Sequence, residues 1–503
     1  MAIEPLYEKI IVNRPCEQVT GQIKIEAKTE VSTDLVEKVL AVNAFAVVTQ
    51  SEIAGGQIRY GGKTTFYLSY LGADKEVHKC ECGSEFTGLL EKTALSDGAR
   101  VRIRADVEKT EVSVDGIKLS VTAFVGLTAT PFERCEVQAL SGGDNLIIDK
   151  KEVPVVKHFG VKEGVLPMEE EFELSYSVQE VLFHKAEAVI TSVQCGVGTI
   201  IVDGEVLLTV IALQKNQKHD IIRENKVLPF RYELECEDAM PTMQATSRAK
   251  VRSFKTDVFV DLENQTSTLT ASVNVHFEGE AFTKTQVAIA SDAFSTTEQV
   301  ELTYADFPYY KACDQYGASF VCGGKSMVEE LPVGAVLLAV GCEKAEIVTA
   351  VKGDSGIIAN GALTAVGYFI DGEGKVFTRK METPFEKTIE YMGEQKDTVE
   401  ITCVASKATA KILSLTEVNL ESELTFTVYP CERDSVRFVK EIKCSGEKKQ
   451  NASAISVFIP MEGEDLWSLS KRLNVCPETL VLTNKDLQFP LTGKERIVVY
   501  RKL

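Results

Sequence analysis

The sequence predicts a mainly β protein, built as three repeated β-sandwich-like units followed by a small C-terminal βααβ module. Three observations carry this reading. One cassette recurs three times before residue 450. Each copy is followed by a pair of segments whose apolar residues alternate with a period of two, the pattern of strands with one buried face. Helical spacing of apolar residues is confined to the C-terminal end of the chain. With 503 residues the chain exceeds one ordinary core, and the usual domain size suggests roughly three to five domains.

Each cassette runs from a glycine through an apolar strand and a polar turn to a phenylalanine. The first holds Gly62 and Phe86, the second Gly204 and Phe230, the third Gly361 and Phe385, so the separations are 24, 26 and 24 residues. Repetition at this fidelity marks a duplicated structural unit. Downstream of each cassette come the alternating pairs, beginning at Val101, Ala249 and Val399. In the first pair Val112 and Val114, then Leu119, Val121 and Ala123, fall on one face. With no long helical pattern between strands, sandwich or barrel units are expected rather than parallel βαβ units. The expected domains are 1–145, 146–288, 289–449 and 450–503. Ser141-Gly142-Gly143-Asp144 is turn-rich, and Ser445 to Ser453 is polar enough for a linker.

In the C-terminal module, Val457, Phe458 and Ile459 predict a strand, and Pro460 to Gly463 a turn. Asp465 stands at an N-cap position before Leu466, Trp467, Leu469 and Leu473 at helical spacing. A turn at Asn474 precedes Pro477, which suits the first position of a second short helix ending near Asn484. After a turn at Gly493, Ile497 to Tyr500 predicts the closing strand.

Composition narrows the function. Acidic residues outnumber basic ones by 74 to 55, a net charge of -19, which disfavours non-specific attraction to nucleic acid or anionic lipid. The N-terminal residues lack a basic stretch followed by an apolar run, so no secretory signal is expected. Leu331 to Cys342 is the longest weakly apolar run, far short of the roughly 20 residues that span a bilayer. Direct membrane insertion is therefore not expected. The 13 scattered cysteines read as small buried hydrophobes in a reducing compartment.

Catalytic and cofactor patterns fail on inspection. Gly62-Lys63-Thr64 resembles the end of a phosphate loop, but the earlier glycine that a loop needs is replaced by Gln57; Gly324-Lys325-Ser326 fails likewise at Ser319. His78, Cys80 and Cys82 alternate on one strand face and could begin a zinc site, yet no fourth ligand has suitable spacing, and the aligned positions in the other copies carry Ile222, Glu224 and Lys226, then Phe377, Arg379 and Met381. The five histidines lie in unlike surroundings, and no nucleophile elbow, His-Glu-x-x-His or dinucleotide fingerprint occurs. Neither enzymatic activity, a cofactor nor a bound metal is expected.

At Gly463, Leu466, Trp467, Ser468, Leu469, Asn474, Val475, Leu480, Asn484 and Leu491 the module resembles a LysM domain. Together with the three cassettes it resembles the SPOCS-domain spore-coat morphogenetic proteins of clostridia, in which SPOCS units precede one LysM. The resemblance implies a mother-cell cytosolic factor at the forespore surface, without catalytic activity. Its LysM would engage the ATPase that polymerises as the coat-basement layer, alongside other coat proteins. Glycan-binding LysM domains imply peptidoglycan, through N-acetylglucosamine, as the alternative partner. The residues assigned to partner contact are Gly463, Glu464, Asp465, Leu466, Trp467 and Asn484. Glu464-Asp465 replaces the family's Asp-Thr, making the loop more acidic and suiting a protein better than a sugar.

Overall fold

The computed structural model describes residues 4–31, 35–91, 99–215, 220–261, 263, 265–353, 355–391, 398–448 and 454–500. Within them the chain is mainly β, in antiparallel sheets, with two short helices. Neither helix is long and apolar enough to cross a membrane.

The first unit contains β1 (Pro5–Pro15), β2 (Val19–Glu30), β3 (Val36–Ala54), β4 (Gln57–Gly72), β5 (Val77–Glu91), β6 (Arg100–Asp115) and β7 (Lys118–Gly143). One sheet is ordered β3-β4-β5; in the other, β7 is flanked by β2 and β6 and continues beyond them to pair with β1. Ile58, Phe66 and Leu68 of the first sheet and Val121, Ala123 and Val125 of the second share one buried cluster, which makes the pair a sandwich.

The second unit repeats this with β8 (Leu146–Leu174), β9 (Val178–Cys195), β10 (Thr199–Gln214), β11 (Ile221–Glu235), β12 (Gln244–Asp261) and β13 (Thr266–Ser295). The third has β14 (Glu298–Cys313), β15 (Tyr316–Met327), β16 (Val336–Gly353), β17 (Gly356–Ile370), β18 (Val376–Glu390), β19 (Thr398–Ile412) and β20 (Glu417–Glu447). Among the described residues every sheet draws its strands from one unit, with no strand exchanged between units.

The repeated glycine and phenylalanine face each other across two strands. Gly62 pairs with Phe86, Gly204 with Phe230 and Gly361 with Phe385. A Cβ on any of the three glycines would lie 2.5 Å from the phenylalanine Cζ and 2.1–2.3 Å from a main-chain oxygen of the next strand. The ring covers the space that glycine leaves, which explains why the two residues recur together.

β7, β13 and β20 are unusually long, and each runs out of its sandwich as half of a two-stranded ribbon. The ribbons are β1 with β7, the first half of β8 with the end of β13, and β14 with the end of β20. They pack on one another through Ile10 and Ala139, Val153, Val155 and Ile289, and Phe307, Tyr309, Val436 and Phe438, forming a three-ribbon stalk. A second junction joins Leu40 and Leu71, Leu182, Phe183 and Ile211, and Ala339, Tyr368 and Val376 from the three sandwiches. Buried ions reinforce the contact between the second and third units: Arg223 donates to Glu343 at 2.6 Å, and Lys185 donates to the carbonyls of Glu343 and Ala405. Arg102 pairs with Glu278 between the first and second units, and Thr378 donates to the Leu40 carbonyl between the third and first.

The turn after the first unit lies at Asp144 and Asn145, with Asn145 in the left-handed region at φ 58°. β13 passes unbroken through residue 288, and the second turn lies at Thr296 and Thr297. β20 extends through Glu447, so residues 445–447 of the expected linker belong to a strand, while 449–453, with the expected boundary at 450, lie outside the described residues. The module follows as β21 (Ile455–Phe458), α1 (Leu466–Leu473), α2 (Pro477–Thr483) and β22 (Ile497–Tyr500).

Candidate functional site

The module is organised by a few polar side chains that bind backbone. Asp465 caps α1 by accepting from the Ser468 amide at 2.7 Å, and Asn474 ends the helix in the left-handed conformation. Leu469, Leu473, Leu480, Leu491, Ile497 and Val499 close the core beneath the helices.

The residues assigned to partner contact occupy three places. Gly463, Glu464 and Asp465 lie in the loop before α1; Gly463 has φ 79° and donates to the Leu491 carbonyl at 2.7 Å. The Glu464 carboxylate is buried, accepting from Arg472 Nε and Nη2 at 2.8 Å each and from the Met461 amide at 2.9 Å. Its hydrogen bonds from Arg472 hold the carboxyl below its ordinary pKa despite burial. Asn484, at the end of α2, donates to the carbonyls of Leu480 and Val498 and accepts from the Val498 amide at 2.8 Å, tying helix to strand. Leu466 packs against the module core.

Trp467 points away from this loop and onto the stalk. Its Nε1 donates to Asp292 Oδ2 at 2.9 Å, and its ring meets Phe294 edge-on at 5.2 Å between centroids. One turn later Lys471 Nζ donates to both Asp292 oxygens, at 2.7 and 2.6 Å. Tyr304 adds its hydroxyl to Asp292 at 3.1 Å, and Lys448 links the Ser295 carbonyl to Asn474. Burial would raise the Asp292 pKa, but the bonds from Lys471 and Trp467 outweigh it and hold the carboxyl low. The structure thus brings Gly463, Glu464 and Asp465 together and sets Trp467 on a different face.

Asp292, Phe294 and Lys471 are contact residues that the sequence reading missed. Asp292 and Phe294 alternate along β13 like any strand pair, and nothing local marks them.

The outer face of the module's sheet is apolar. Ile455 lies opposite Tyr500 and Val457 opposite Val498, so these side chains share one side with Ile459. Ile455, Val457, Ile459 and Tyr500 are each 59–71% exposed, and Met461, in the turn that follows, is exposed as well.

The other candidate motifs resolve into strands. Gly62-Lys63-Thr64 lies inside β4 and Gly324-Lys325-Ser326 inside β15, neither leading into a helix N-terminus. On β5, His78 pairs with Asp74 at 2.8 Å and Cys80 is within 3.9 Å of the Thr29 hydroxyl. Burial pushes the Cys82 thiol up to about 11. Among the described residues no group of three His, Cys, Asp or Glu side chains is arranged to hold a metal ion.

Compared with known proteins, the chain matches no family model, no curated protein and no solved structure.

Proposed function

We propose that this protein is a non-enzymatic scaffold of spore-coat assembly. Three β units form the body, and the module at the stalk end docks the coat-basement morphogenetic ATPase on the cytosolic side of the forespore surface. The partner and the location rest on the SPOCS and LysM resemblance. The observation that carries a docking role is the exposed apolar sheet face of Ile455, Val457, Ile459 and Tyr500. An apolar patch of this kind on so small a module suits a protein interface. The polar side chains of the loop nearest a LysM sugar groove, Glu464 and Asp465, are engaged within the module itself.

The test is retention of the full chain on immobilised coat-basement ATPase. Wild type is retained, and Val457→Glu is lost from the column while its melting temperature is unchanged. Failure of wild type to bind the ATPase, together with cosedimentation of both proteins with purified cell wall, would replace this reading with peptidoglycan binding.

A further inference from the structure

Two features of the stalk end point beyond a fixed attachment. The contact between module and stalk is polar: one carboxylate, Asp292, receives the Trp467 indole N–H and the Lys471 ammonium, one ring, Phe294, meets the indole edge, and Lys448 bridges the Ser295 carbonyl to Asn474. Beside it opens a cavity of about 600 Å³, lined by Phe294, Val300, Leu302, Tyr304, Lys448 and Lys471. The contact is therefore not sealed by surrounding packing, as the sandwich cores are.

Trp467 and Lys471 stand four residues apart, on one face of α1. Together they present an N–H donor, a cation and an aromatic edge. The group that satisfies all three is a carboxylate next to an aromatic ring, and the stalk supplies it as Asp292 and Phe294, two residues apart on one strand. We infer that the Trp467 and Lys471 face of α1 is a recognition surface for an acidic-aromatic segment, held shut in cis by the stalk's own copy of that pair, so that a partner carrying such a segment must displace Asp292. This second surface goes beyond the sheet face of the proposed function; it rests on the scaffold reading only for the supposition that a partner uses it.

Trp467 is the only tryptophan in the chain, so its fluorescence reports the contact directly. The experiment compares acrylamide quenching of full-length wild type, Asp292→Asn and Asp292→Ala, with melting curves as the folding control. Loss of hydrogen bonds to a charged group shifts the open-to-closed ratio by about tenfold or more. Quenching is therefore expected to rise in Asp292→Ala, and less in Asp292→Asn, which keeps an acceptor for the indole.

The second arm adds a synthetic peptide with the sequence of residues 289–297, and the same peptide with its aspartate and phenylalanine changed to alanine. The native peptide is expected to reverse the quenching of Asp292→Ala, to act on wild type only at much higher concentration, and to lose its effect when altered. Equal quenching of wild type and Asp292→Ala, or equal response to the two peptides, would overturn the inference. Neither arm uses the coat ATPase, so failure of the docking proposal and failure of the cis contact are read separately.

Discussion

Adding one methyl group at Gly204 tests whether the repeated glycine and phenylalanine form a structural pair. The Cβ of Gly204→Ala would sit 2.3 Å from the Val189 carbonyl oxygen and 2.5 Å from Phe230 Cζ. Both are well inside contact distance, and the oxygen belongs to a main chain paired on the same sheet. Phe230 is itself buried in a cluster with Val206, Leu228 and Phe277, whose ring it meets edge-on, so its ring has packed neighbours to displace. Overpacking of this kind costs about 1–3 kcal/mol. The alanine would recover roughly 0.4–1 kcal/mol by restricting the unfolded chain. The net expectation is a loss of about 1–2 kcal/mol, or a melting temperature lower by a few degrees for a unit of this size. The assay is thermal unfolding followed by far-UV circular dichroism, with Phe230→Leu and the double variant completing a cycle. Because Phe230→Leu removes the ring clash, the double variant should lose less than the sum of the two single losses. Unchanged or increased stability in Gly204→Ala, or strict additivity in the cycle, would refute the argument that the ring occupies the space of the missing side chain.

Other consequences follow from buried charge. Glu343→Gln leaves Arg223 buried without its carboxylate and should cost about 3–5 kcal/mol, while Arg223→Met with Glu343→Leu should recover most of it, as measured by urea unfolding. His184 lies between Tyr67 and Phe254 with its Nδ1 2.8 Å from the Thr256 hydroxyl, and burial depresses its pKa to about 4. The unfolded chain then binds the extra proton first, so the stability that this neutral ring contributes is complete above the unfolded pKa near 6.5 and is lost as pH falls toward 4. His184→Gln should flatten the dependence of the melting temperature in that window. Asp292 has a depressed pKa in the closed contact, where it faces Lys471, Trp467 and Tyr304. The contact should hold above the ordinary carboxylate pKa of about 3.9 and open as pH falls through the lower closed-state value, seen as increased quenching of Trp467.

Local chemistry explains which parts were legible in the sequence. Period-two alternation announced the sandwich strands, and Asp465, Asn474 and Pro477 announced both helices of the module, because each acts on its immediate neighbours. The turn after the first unit was visible through Gly142, Gly143 and Asp144. The second turn, Thr296-Thr297, contains no glycine, proline or asparagine, so a division drawn at 288 falls inside β13. The stalk was illegible for a related reason. Its strands alternate as sandwich strands do, and only tertiary packing distinguishes a ribbon facing two other ribbons from a sheet facing a sheet. Of the candidate site, the capping role of Asp465 was readable, whereas the docking of Trp467 on Asp292 joins residues 175 apart in sequence and left no local trace.

The continuity of the long strands bears on where the molecule can move. β7, β13 and β20 have 26, 30 and 31 residues, and each belongs to both a sandwich and the stalk. At the usual rise per residue such a strand reaches up to about 100 Å. In the second unit the partner strand is continuous as well, since β8 pairs with β13 along both halves, where the other units use β1 then β2 and β14 then β15. Bending a sandwich against the stalk would break ladder hydrogen bonds within a single strand and disturb the clusters at both junctions. The module is joined differently, through Lys448 and the Asp292 contact rather than a shared strand. Forces from a partner on the module are therefore resisted by a few hydrogen bonds at the stalk end, while the units behind them are tied by continuous strands and two buried junctions. Motion on binding should concentrate at Asp292 and not between the units.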